Sequence, residues 1–248
     1  IGSRVEIPVV NNIEYGIVAD MAVDAPLGKE IKSIVQVICS TPLLEGYQIH
    51  MIHRIARHYM LPIHRVLGFF LPRPILRRLE KSNFSDLKDT FEKQKGEQES
   101  CISFFQNTVI TPEVLRPYLS SWTMVICPDD IALSRFEKAF WEEGFFFLSN
   151  AATDARKSKA WRDIRNKEYP IVFSTRKTLF FNMREYTQIL YLEDAFMNEY
   201  FHYPTSIHYN DILLFINESW DININIMTSI PLLKTLSMFR HFPINNIT

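Results

Sequence analysis

PIVFSTRKTLFFNMREYTQILYLEDA, residues 170–195, is the stretch whose reading decides the fold. Two apolar runs rich in β-branched and aromatic side chains, residues 171–173 and 189–191, predict buried strands. The first ends in Ser174, Thr175 and Arg176, the second in Glu193 and Asp194. Open α/β sheets bind ligands outside the carboxyl ends of their strands, so these polar groups mark a candidate site. A strand closing on two acids is also how nucleotide-driven motors hold magnesium and activate water.

On both sides of this stretch similar runs recur, at 101–105, 123–127, 145–148 and 222–226, most with a helix-like segment behind. Asp129 or Asp130 can cap a helix whose Ile131, Phe136, Ala139 and Phe140 would face the sheet. Residues 155–167 predict a second, very basic helix. Strands alternating with helices mean a mostly parallel sheet covered on both faces. Further toward the amino end, residues 4–8 and 15–19 read as paired strands, with Asn11-Asn12 as turn chemistry between them. Residues 31–38 are a third strand candidate. From 48 to 59, Ile49, Ile52, Ala56 and Tyr59 share one helical face. Pro62 can open a short second helix carrying Val66, Leu67 and Phe70, and Pro72 and Pro74 close the unit. Residues 81–100 are polar and charged, a linker or an exposed helix.

Bulk properties narrow the classes. With 47% hydrophobic residues among 248, the chain can bury a proper core. Net charge is −1, so any nucleic-acid binding must be local. Residues 1–82 hold ten Lys/Arg against seven Asp/Glu; the remainder holds seventeen against twenty-one. Cys39, Cys101 and Cys127 are widely spaced, which argues against a disulfide framework or zinc knuckle and suits a reducing cytoplasm. The strongest apolar run, 66–71, is far too short to span a membrane, and no signal peptide is recognisable. Ile1 rather than Met stands first, which fits a piece of a longer chain.

Taken in order, these segments resemble primosomal protein N′ (PriA), the family of bacterial DNA helicases that restart stalled replication forks. Ser3-Arg4-Val5-Glu6-Ile7-Pro8, Gly16-Ile17-Val18 and Ile31-Lys32 look like the core of the family's small domain for gripping a DNA 3′ end. Ile55-Ala56-Arg57-His58-Tyr59, Pro62-Ile63 and Leu71-Pro72 resemble its closing helix pair. Residues 125–133 resemble the family's strand-Pro-Glu-Ile segment. Asp154-Ala155-Arg156 with Ala160-Trp161, then residues 174–180, look like its DNA-tracking motifs. Leu192-Glu193-Asp194-Ala195 stands where the family has Asp-Glu-Glu-His, and His208-Tyr209-Asn210-Asp211 where it has His-Ala-Arg-Asp. Thr228-Ser229-Ile230-Pro231 with Thr235-Leu236 matches Ser-Ala-Thr-Pro and a trailing Thr-Leu.

The resemblance implies a small β-rich DNA-binding domain over 1–79 that lacks its first strand. A polar linker over 80–100 and a RecA-like, P-loop-NTPase-type lobe over 101–248 would follow. It also implies ATP and magnesium, and here the chain departs from the family. A phosphate loop needs glycines whose backbone N–H groups can approach the phosphates, and a lysine for charge. The corresponding residues 105–112 contain neither, Thr108 and Thr111 being their polar members, and end in Pro112. No glycine lies between Gly96 and Gly144 or after Gly144. The metal-binding Asp is replaced by Leu192, which leaves Glu193 and Asp194 as relic acids. Neither cofactor nor metal is expected to bind, and hydrolysis by this lobe is not expected. The family's winged-helix module, second motor lobe and zinc-binding cysteines have no counterpart in these residues.

The DNA side is better preserved. Lys32 matches the lysine of the family's 3′-end pocket, although Val10 stands where that pocket has a glycine. Residues 53–81 carry seven Lys/Arg and one acid, interleaved with Tyr59, Phe69 and Phe70. Arg156, Lys157, Lys159, Arg162, Arg165 and Lys167 give the later helix two charged stripes. Candidate DNA contacts are therefore Lys32, Arg4, Arg156, Thr175, Arg176 and Lys177, all to backbone phosphates, so binding should be salt-sensitive. Each basic face reads equally as solvated surface. His50 and His53 are spaced for a metal, but no third ligand follows. The expected function is a cytoplasmic, nucleoid-associated DNA-binding protein of bacterial replication restart and repair. It would bind forks or 3′ ends, recruit other primosome or single-strand-binding proteins, and touch no membrane. An active ATP-dependent 3′-5′ helicase fragment and a partner-binding scaffold without DNA affinity are the alternatives.

Overall fold

The computed structural model describes residues 1–21, 31–38, 41–72, 75, 99–105, 109–183, 185–193, 200–201, 207–220 and 222–247. Thr108, Asp194, Pro74 and nearly all of the expected linker lie outside the described residues.

Arg4–Val9 (β1) and Asn12–Ile17 (β2) form an antiparallel hairpin with Val9 opposite Asn12. The turn is thus Val10-Asn11, one residue earlier than the Asn11-Asn12 expected, and it holds Val10 at φ 53°. A side chain in that left-handed region costs about 1 kcal/mol; the six paired residues on each strand fix the register against it. A third strand, Gln36–Val37 (β3), pairs with β1. Val35 and Ile38 extend the ladder to Glu6 and Arg4, but the strand expected from residue 31 is shorter than its apolar run. Gly2 turns the chain at φ +78°; its N–H bonds Val18 and its carbonyl receives Leu43 N–H. A Cβ there would fall 1.8 Å from the Leu44 carbonyl, so only glycine fits.

Gly46–His58 (α1) begins in a capping box, Glu45 with Gln48, and buries Ile49, Ile52, Ile55 and Ala56. It ends in a Schellman turn: Met60 is left-handed and Leu61 N–H returns 2.8 Å to the Ala56 carbonyl. Ile63–Phe70 (α2) follows Pro62 as expected and buries Val66 and Phe70.

Seven strands build the main sheet. They are Cys101–Phe105 (β4), Thr123–Cys127 (β5), Phe146–Leu148 (β6), Ile171–Thr175 (β7), Gln188–Leu192 (β8), Asn223–Thr228 (β11) and Ile244–Ile247 (β12). Their order is β12-β4-β11-β8-β5-β7-β6, with every pair parallel. Tyr200–Phe201 (β9) and Ile207–His208 (β10) make a separate antiparallel pair. Among the described residues the remaining helices are Pro112–Leu115 (α3), Asp130–Ala139 (α4), Asp154–Arg165 (α5), Tyr209–Ser219 (α6) and Leu233–Met238 (α7).

Strand alternation sorts the core into two clusters. Val125 and Cys127 face Leu133, Phe136 and Phe140 of the α4 region. Met124 and Ile126 belong with Trp161 and Ile164 of α5 and Ile212 and Ile216 of α6. The fold is therefore α/β, a small antiparallel sheet beside a parallel one with helices on both faces. Asp129 is the α4 cap, accepting the Ala132 N–H at 2.7 Å. The stripe of α4 is rotated from the one expected: Leu133, Phe136 and Phe140 are buried while Ile131 is 74% exposed. Residues 133, 136 and 140 repeat at helical spacing, and 131 lies well off that face.

The α1–α2 pair does not stand apart. Leu43, Leu44, Ile52, Ile55 and Phe70 share the cluster of α5 and α6. Polar ties reinforce it: Trp161 Nε1 donates to the Phe70 carbonyl at 3.2 Å, and Tyr47 Oη to Asn182 at 2.9 Å.

Candidate nucleic-acid interface

The expected nucleotide corner comes first. β4 is followed by only four residues of helix, with Pro112 in its first turn. A proline there supplies no N–H, and so short a helix offers little dipole. At the end of β8, Leu192 is packed in the apolar cluster with Leu190 and Met227. Glu193 is buried and engaged: the Thr235 hydroxyl donates to Oε1, and the Leu232 N–H lies 3.4 Å from Oε2. Asn210 in turn donates to Thr235 at 2.6 Å. Burial pushes the Glu193 carboxyl above its ordinary range, while these hydrogen bonds pull it back. Glu193 thus ties β8 to α7 and α6. Among the described residues of this corner, Leu192 is buried and Glu193 is bonded within the fold.

The neighbouring polar residues are structural in the same way. His208 Nδ1 accepts the Asn210 N–H at 3.1 Å and so caps α6. Burial, with Lys234 and Arg176 nearby, lowers its pKa to about 4 against the opposing pull of Asp211. Asp211 accepts from the Tyr59 hydroxyl and pairs with Lys234 at 3.2 Å, so the end of α1 is bonded to α6.

Among the proposed DNA contacts the structure divides sharply. Lys32 is exposed, just ahead of β3. Arg156 is exposed at the start of α5, with one guanidinium nitrogen 2.9 Å from the Phe147 carbonyl. Lys177 is exposed beyond β7. Arg4, Thr175 and Arg176 are instead 2%, 2% and 5% exposed. Arg4 stacks over Tyr15, and Arg176 lies against the rings of Tyr191 and Tyr209. All three side chains are thus largely buried, whereas Lys32, Arg156 and Lys177 meet solvent. Thr175 ends a strand buried on both faces, and Arg176 follows it into a turn whose exposed member is Lys177.

Arg165 is a further departure from the two charged stripes. Its Nη1 donates 2.7 Å to the Leu43 carbonyl and its Nη2 sits 3.4 Å from Glu45. Lys159 pairs with Asp163 at 3.2 Å, and Lys167 covers the Trp122 ring at 4.2 Å. Arg165 and Lys167 therefore serve packing, while Lys159 is paired at the surface.

What the structure does bring together is a groove of about 830 Å³ between α2 and the carboxyl ends of β6 and β7. His64 and Arg65 line it from α2, Lys157 from α5, and Lys177 from the 3₁₀ turn Arg176–Phe180. Among the described residues Asp154 is its one acidic lining residue. In the sequence Arg65 and Lys157 are no more than members of two basic runs, because their meeting depends on how α2 docks against α5.

Comparison with curated proteins finds no match for the chain. Residues 1–72, which end just after α2, match the family model of the PriA 3′DNA-binding domain (3′BD), and this supports a PriA-related protein.

Proposed function

We propose that the chain is a PriA-like DNA-binding protein of replication restart and repair. It favours forked or 3′-ended DNA and neither hydrolyses ATP nor unwinds the duplex. The observation that carries this reading is the match of residues 1–72 to the 3′DNA-binding domain, with Lys32 exposed within it. Support for the non-hydrolytic part comes from Glu193, whose oxygens are taken up by Thr235 and the Leu232 N–H. The protein works in the bacterial cytoplasm at the nucleoid, and holds other primosome or single-strand-binding proteins at the fork.

Mobility shifts test it with a fork carrying a free 3′ end and the same fork with that end blocked by a bulky group. Lys32 offers a charge-assisted contact to the terminal phosphate. The free end should bind more tightly, and Lys32→Ala should erase the difference while leaving the blocked fork unaffected. A scaffold without DNA affinity gives no shift with either fork at low salt, and that result refutes the reading.

A further inference from the structure

We propose that the outer face of α4 pairs with the same face of a second copy of this chain, the two helices running antiparallel about a two-fold axis. Trp141, just beyond α4, seats in the depression beside Ile131 of the other copy, and the exchange is mutual. The inference is independent of the DNA-binding reading. The inner side of α4 packs on the cluster of Val125 and Cys127, whereas α1, α2, α5 and α6 share the cluster on the opposite face of the sheet.

Shape is the first argument. With Leu133, Phe136 and Phe140 turned inward, two large apolar side chains are left in solvent at opposite ends of the element: Ile131 is 74% exposed and Trp141 78%. At the rise of a helix, that separation is about 15 Å. A shallow depression lies at each end. The one beside Ile131 is walled by Pro112 and Arg135, the one beside Trp141 by Arg116, Glu137 and Glu142, and Ser134, Lys138 and Ala139 border both. A projecting ring at one end and a hollow at the other, on one face, is what an isologous contact needs, because each copy then supplies what the other receives. Ser134 and Ala139 are small, which lets two helix axes come close there.

Charge is the second. At the start of α4 both acids are engaged within the fold: Asp129 accepts the Ala132 N–H at 2.7 Å and Asp130 the Asn150 N–H at 2.9 Å. Arg135 therefore sets the sign at that end. At the other end Arg116 is paired with Glu143 at 2.6 Å, which leaves Glu137 and Glu142. Among the described residues the side chains of Arg135, Glu137, Lys138 and Glu142 are unpaired. Antiparallel pairing lays the basic end of each copy on the acidic end of the other, with Arg135 facing Glu142 across the contact twice. The indole then rests against the other copy's Arg135 and Ile131, an aromatic anchor beside a guanidinium. A nucleic acid is the poorer occupant, since its phosphates would meet the carboxylates around Trp141.

Sedimentation of the DNA-free protein over a range of concentrations tests the pairing. Wild type should pass from the mass of one chain to that of two. Trp141→Ala removes the anchor at both ends of the contact and should raise the dimer dissociation constant by about a hundredfold. Ile131→Lys, at the receiving end, should act in the same direction. Both side chains are exposed, and circular dichroism checks that each variant folds. The decisive arm is a charge exchange. Arg135→Glu and Glu142→Arg each set like charges against each other in their own dimers, so each alone should associate more weakly than wild type. An equimolar mixture of the two restores both opposite-charge pairs and should recover the dimer. Wild type that is still a monomer at about 1 mM overturns the proposal. A dimer that folded Trp141→Ala leaves unchanged overturns it too, as does a mixture that associates no better than its components.

Discussion

Replacing Arg165 by methionine should loosen the attachment of the α1–α2 unit to the parallel sheet. The guanidinium is 6% exposed, 2.7 Å from the Leu43 carbonyl and 3.4 Å from Glu45. A hydrogen bond from a charged donor to a buried carbonyl contributes about 2 kcal/mol, and its loss leaves that carbonyl unpaired. The Glu45 pair adds less, at most about 1 kcal/mol, since the carboxylate is part-exposed. Returning the guanidinium's place to an apolar side chain recovers some desolvation, which holds the net loss to roughly 2 kcal/mol. Guanidinium chloride unfolding followed by tryptophan fluorescence measures it, with Trp161 packed beneath at 6.0 Å as a local reporter. The DNA affinity of the folded variant should equal wild type, because Arg165 faces Leu43 and not solvent. A stability change under about 0.5 kcal/mol, the usual range for surface sites, would refute the structural role. So would a tenfold fall in DNA affinity with stability intact.

Met60 stands left-handed at the end of α1 and is 92% exposed, so Met60→Gly should stabilise by about 1 kcal/mol in the same unfolding assay. His208 is held neutral in the fold with a pKa of about 4 against an ordinary 6.5, so the unfolded chain binds the proton first. Its contribution is complete above pH 6.5 and is lost as pH falls toward 4, by up to roughly 3 kcal/mol. His208→Asn, which keeps an acceptor for the Asn210 N–H, should lack that slope in urea melts run across the interval. Glu193 acts with the opposite sign. Its raised pKa makes the fold bind a proton before the unfolded chain does, so stability on its account falls as pH rises through the raised value. Glu193→Ala should cost about 2 kcal/mol at pH 7 through the lost Thr235 and Leu232 bonds, with DNA binding intact; unchanged stability would make it a spare acid.

The parallel sheet was legible because its strands are buried on both faces and so read as continuous apolar runs: β4, β5, β7 and β8 lie within a residue or two of where those runs predict them. Ile244–Ile247 escaped because Asn245 and Asn246 interrupt its apolar pattern; it is an edge strand, added by its ladder to β4. Site residues were less legible for a different reason. Charge alone does not tell an arginine that meets solvent from one that is buried: Arg4, Arg165 and Arg176 are all buried against rings or a carbonyl. Only the packing of neighbours decides it. The docking of α2 against α5, which brings Arg65 and Lys157 to one groove, depends on contacts about ninety residues apart, and no local periodicity encodes it.

Phosphate release from ATP, measured with magnesium and a saturating forked DNA that the protein demonstrably binds, bears hardest on the proposal that this chain binds DNA without hydrolysing ATP. A glutamate bonded to Thr235, behind a buried Leu192, predicts release at the no-protein background, with or without the fork. Fork-stimulated turnover that disappears in Glu193→Gln would contradict the entire reading.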